Sequence, residues 1–119
     1  MDTAMLTTAA LLFVIAAAGG LVMAGIRFAT RHNPPAWLAM LHGLLAAAGL
    51  TLLLYAIWTT TVPTTAWIAA LLFLLVAAAG ALMSLQSKWK QRLLPAWLVF
   101  SHAVAAVAAL LLLLVAAFG

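Results

Sequence analysis

Cysteine is absent from the 119 residues, glutamate is absent, and Asp2 is the only acid. Without a thiol there is no disulfide, no thiolate nucleophile, no iron–sulfur cluster and no Cys-ligated zinc. With a single carboxylate there is no paired acid and base, and Ser84, Ser87 and Ser101 have no acidic partner for hydrolytic chemistry. No Gly-rich phosphate-cradling loop is present either. Gly19 and Gly20 fall inside an apolar run and read as helix-packing residues.

What remains is 70% hydrophobic and only 5% charged, far outside the range of a soluble globular domain. Four apolar stretches predict helices over about residues 5–27, 35–58, 65–86 and 95–118. Each matches the roughly 20 residues that cross a hydrocarbon core of about 30 Å. A spanning helix satisfies its own backbone, so four of them make a complete solution in lipid. The expected fold is an all-α integral membrane four-helix bundle. No residues are left over for a soluble domain, and the N-terminus, with no basic segment before its apolar run, does not read as a signal peptide.

The charge is one-sided. Arg27 and Arg31 lie near the first connection, Lys88, Lys90 and Arg92 near the third, and the second, TTTVPTTA, carries none. The positive-inside rule places the first and third connections in the cytoplasm and both termini outside, in an inner (cytoplasmic) membrane. Five cations beside a membrane are topology signals, and a nucleic-acid partner is not expected. Trp37 and Trp97 fall at the cytoplasmic interface and Trp58 and Trp67 near the opposite one, as in aromatic belts.

Laid over itself without a gap, the second half matches the first at Phe13/Phe73, Gly20/Gly80, Met23/Met83, Pro35/Pro95, Trp37/Trp97 and His42/His102. Uncommon residue types agreeing in one register indicate a tandem repeat of a transmembrane hairpin, residues 1–60 and 61–119, forming one domain together. Two crossings per copy give both copies the same orientation, related by a pseudo-twofold axis along the membrane normal. Short connections then predict an up-down-up-down bundle with the second and fourth helices on a diagonal.

Two residues in this repeat need more than anchoring and packing. PAWL is followed after three residues by His42 in one copy and His102 in the other, each about 10 Å into its helix. An ionisable group at that depth is a functional hypothesis by default. Two symmetry-related imidazoles on diagonal helices can converge as the axial ligands of one haem iron. Ala46, Gly49, Ala106 and Ala109 lie deeper on the same faces and would leave room for a macrocycle. Met23 and Met83 would pack near it, and Arg27, Arg31, Lys88, Lys90 and Arg92 would pair with its propionates. His32, in the first connection, reads as a headgroup or propionate contact.

This bundle with its paired histidines resembles the small b-type membrane cytochromes, in the style of the cytochrome b561-like proteins, and small uncharacterised bacterial four-helix membrane proteins. The resemblance implies haem b on His42 and His102, one-electron transfer, and a quinone or a membrane oxidoreductase as partner. The b561-like proteins carry two haems and more histidines; the outer half here has no second pair. Two alternatives stand beside this reading. His42, His102, Met23 and Met83 could hold Cu(I), which thioethers favour. Or the chain is a structural or assembly subunit, or a homo-oligomer, with no cofactor. A small multidrug transporter, of similar size, would need an intramembrane acid that this chain lacks.

Overall fold

The computed structural model describes residues 3–119; Asp2, the one acid, lies outside them. Four helices make up almost all of it: α1 (Ala4–Thr30), α2 (Ala36–Thr59), α3 (Thr64–Lys90) and α4 (Ala96–Phe118). All four are long and apolar enough to cross a bilayer. Even α4, with 23 residues, reaches about 35 Å at the helical rise of about 1.5 Å.

Local chemistry sets the helix ends. α2 and α4 begin directly after Pro35 and Pro95, whose φ of −62° and −60° suits a chain entering a helix and whose missing N–H costs nothing there. α1 runs on to Thr30 and α3 to Lys90, past the expected ends near residues 27 and 86. The extension puts Arg27 in the last turn of α1, and Lys88 and Lys90 in that of α3. Cations there oppose the negative end of the helix dipole, so both helices outlast their apolar runs. Both then stop at a left-handed residue, Arg31 (φ 56°) and Gln91 (φ 50°).

Each helix packs against two others: α1 on α2 and α4, α3 on α2 and α4. α1 faces α3, and α2 faces α4, across the centre. The bundle is elongated, 46 × 21 × 18 Å. Its outside is apolar almost throughout; Leu21, Leu44, Leu71 and Val104 are all mostly exposed. No soluble monomer presents so continuous an apolar surface, which suits a lipid surround and a multi-pass membrane protein.

The buried core is confined to one half. Its members come from residues 6–13, 53–57, 66–73 and 109–117, around the fully buried Leu6, Leu53 and Leu113. At its inner edge the Phe13 and Phe73 rings stack across the α1–α3 diagonal, centroids 3.7 Å apart and 6° from parallel. Gly49 makes this possible: a Cβ there would lie 3.0 Å from the Phe13 ring. Its counterpart in α4, Ala109, is fully buried in the same core. In the other half only Ala16, Leu38, Met83 and Leu94 are buried.

Two substitutions test this packing by reversible unfolding in mixed micelles. Phe13→Ala removes half of the stack and should lower stability by about 3 to 5 kcal/mol. Gly49→Val forces a side chain into the Phe13 ring and should cost about 1 to 3 kcal/mol. Combining it with Phe13→Leu should cost less than the sum of the two single changes, because both act on one space.

Candidate functional site

His42 and His102 meet across the α2–α4 diagonal. Their ring centroids are 6.4 Å apart and their planes cross at 66°. Both rings are partly buried. They lie seven residues, about 10 Å, on the connection side of Gly49 and Ala109, so the Phe13–Phe73 stack forms a floor beneath them.

Each ring rests on a glycine of the preceding helix. A Cβ at Gly20 would lie 3.1 Å from Cε1 of His42, and a Cβ at Gly80 would lie 3.1 Å from Cε1 of His102. The matched glycines therefore admit the imidazoles. At His42 the seat has a second function: Nδ1 lies 2.7 Å from the carbonyl oxygen of Ala16. That carbonyl sits one turn before Gly20, where no side chain covers it. A carbonyl can only accept, so Nδ1 carries the proton, and in the neutral ring Nε2 keeps a lone pair. At His102 the seat differs: Val76 stands where α1 has Ala16, and Nδ1 of His102 is buried with no hydrogen-bond partner. A groove of about 220 Å³ between α3 and α4 lies beside this ring, lined by Val76, Ala79, Leu98, Ser101 and Ala105 among others.

The donor set is small. No group of three His, Cys, Asp or Glu residues is assembled among the described residues. A metal bonded on opposite sides to one nitrogen of each ring, at about 2.0 Å each, would hold the ring centres about 6 Å apart. The observed spacing fits that requirement for two ligands and supplies no third of these types.

The end beyond the histidines is closed by a polar clasp between the two basic connections. Asn33 Nδ2 donates to Ser87 Oγ (3.0 Å) and to the Arg92 carbonyl (2.7 Å). The Leu94 N–H donates to Asn33 Oδ1 at 2.9 Å, and Arg27 Nε donates to the Leu94 carbonyl at 2.7 Å. Arg27 is the one partly buried cation; Arg31, Lys88, Lys90 and Arg92 are exposed. Met83 is buried and Met23 partly so, each one turn past its glycine, between clasp and histidines. His32 is exposed, hydrogen-bonds the Thr30 carbonyl through Nδ1, and takes no part in the pair.

The structure thus brings His42 and His102 together, with Met23, Met83 and Arg27 on the connection side. Ala46 and Ala106 lie one turn deeper and are partly buried. Gly49 and Ala109 were expected to leave room for a macrocycle; the notch at Gly49 is filled by the Phe13 ring, and Ala109 is sealed in the core. Three features escaped sequence reasoning. Gly20 and Gly80 were matched but read as helix-packing residues, and the Phe pair was matched without a predicted contact. Asn33 gave no signal, since Leu93 stands opposite it in the repeat.

Nitrogen-15 NMR of the imidazoles tests the seat. His42 should show a protonated Nδ1 and unprotonated Nε2, and Gly20→Val should abolish that preference by driving the ring off the Ala16 carbonyl. An unchanged His42 spectrum in the variant would contradict this arrangement. No protein-family model, curated protein or solved structure matches the chain.

Proposed function

We propose that the chain is an inner-membrane b-type haem protein that binds one haem between His42 and His102 and passes single electrons within the membrane. The observation that carries this reading is the pair of imidazoles 6.4 Å apart on one level of the bundle. Two imidazoles, with no third acidic, thiol or imidazole group assembled beside them among the described residues, suit an iron whose other four positions a macrocycle would fill. A bare metal ion would ask for three or four protein ligands.

His42 supports the reading through its hydrogen bond. With Nδ1–H committed to the Ala16 carbonyl, the ring's orientation is fixed and Nε2 is the nitrogen left to ligate, the usual arrangement behind a ligating imidazole. His102 contributes the second donor and has no competing bond at Nδ1. The half of the bundle around them holds few buried side chains among the described residues. Arg27, partly buried at the clasp, is placed to balance an acidic group on that side. A bound haem supplies a one-electron couple whose potential the apolar surround and nearby charge set. Held by both His42 and His102, such a group would serve electron transfer rather than oxygen chemistry.

The topology that goes with this reading is up-down-up-down, built from the duplicated hairpin about a pseudo-twofold axis. The basic connections face the cytoplasm and both termini lie outside. The clasp and the site beneath it then lie toward the cytoplasmic side, where a quinone headgroup or an oxidoreductase would exchange electrons with it.

Absorption spectra of protein purified from haem-replete cells test the proposal. The expected result is about one haem per chain, with a dithionite-reduced spectrum of the low-spin b type. His42→Ala and His102→Ala should each lose it. A colourless preparation overturns the haem reading. Copper in such a preparation, lost in Met23→Leu/Met83→Leu, would transfer the site to the His–Met alternative.

A further inference from the structure

The positive charge at the clasped end has no counter-charge within the described chain. Five cations cluster around the two basic connections, and no carboxylate side chain lies among the described residues.

Two of these cations line a cavity. α3 ends at Lys90, Gln91 turns left-handed, and Arg92 follows. The reversal brings Lys90 and Arg92 into the wall of a cavity of about 150 Å³, with Gln86, Leu93, Leu94 and Pro95. Its walls are held from the other connection: Asn33 bonds the Arg92 carbonyl and the Leu94 N–H, and Arg27 bonds the Leu94 carbonyl. The matching connection of the first repeat spends its polar groups on making this clasp. α4 starts beside the cavity with no side-chain cap, leaving the positive end of its dipole uncompensated. Trp89 and Trp97, next to Lys90 and two residues past Pro95 in sequence, are 75% and 68% exposed, as interfacial tryptophans at the headgroup region are.

We propose that this cavity binds the phosphate of an anionic membrane lipid. Arg92 offers a planar fork of donors, Lys90 a mobile point charge, and Gln86 an amide donor. The space is large enough to admit a phosphate with hydrating water. The chains would run down the exposed apolar surface beginning at Leu85 and Leu93. A haem plays no part in this inference.

Native mass spectrometry of the full chain in dodecylmaltoside tests it, by titration with palmitoyl-oleoyl phosphatidylglycerol and the matching phosphatidylcholine. The wild type should retain one phosphatidylglycerol in preference to phosphatidylcholine. Lys90→Gln/Arg92→Gln should reduce that preference roughly 10- to 30-fold. Arg31→Gln/Lys88→Gln removes the same charge from outside the cavity and should reduce it less than about threefold. If the cavity pair loses helicity by circular dichroism, the single variants carry the test, each expected to lose about fivefold. Equal losses in both pairs, or no preference in the wild type, would overturn the site. Displacement of phosphatidylglycerol by millimolar inorganic phosphate would overturn the lipid assignment and leave a site for free phosphate.

Discussion

In a chain this apolar, burying hydrophobic surface cannot decide which side of a helix turns inward, because lipid receives the outward side equally well. The choice falls to close fit and to the few polar groups, and those contacts are local and specific here. Gly49 admits the Phe13 ring, Gly20 admits His42, and Gly80 admits His102. Asn33 ties one basic connection to the other with three hydrogen bonds. Remove the glycine notches and the helices lose the features that set their rotation about their own axes.

The same constraint divides the bundle along its length. One half is closed by Ala and Leu packing that ends in the Phe13–Phe73 stack. The other half is held mainly by the clasp and by the imidazoles on their seats, with little buried apolar bulk between them. An unpaired buried polar atom costs about 1 to 3 kcal/mol, so Nδ1 of His102 is a standing cost in the bundle as it stands.

Much of this was legible in the sequence. Helix number and placement followed from the apolar runs, and the ends missed at Thr30 and Lys90 missed because cations at a helix C-terminus extend it beyond its greasy segment. The approach of His42 to His102 was expected from their equal distance past Pro35 and Pro95. Other features were not legible. Whether a glycine admits a neighbouring helix or a single ring depends on rotation, which composition does not encode; Gly20 and Gly80 were therefore read too generally. Phe13 filling the notch at Gly49 is a contact between helices that no spacing within one helix predicts. Asn33 acts through a partner loop whose sequence differs from its own, so the repeat gave no hint of it.

His42 of α2 and His102 of α4, in the proposed function, share one iron. Low-temperature electron paramagnetic resonance of the oxidised, purified protein tests this. A low-spin ferric signal of bis-imidazole type is expected in the wild type, converted to a high-spin signal or lost in His102→Ala. A high-spin signal in the wild type, or a low-spin one that survives loss of either histidine, would contradict it.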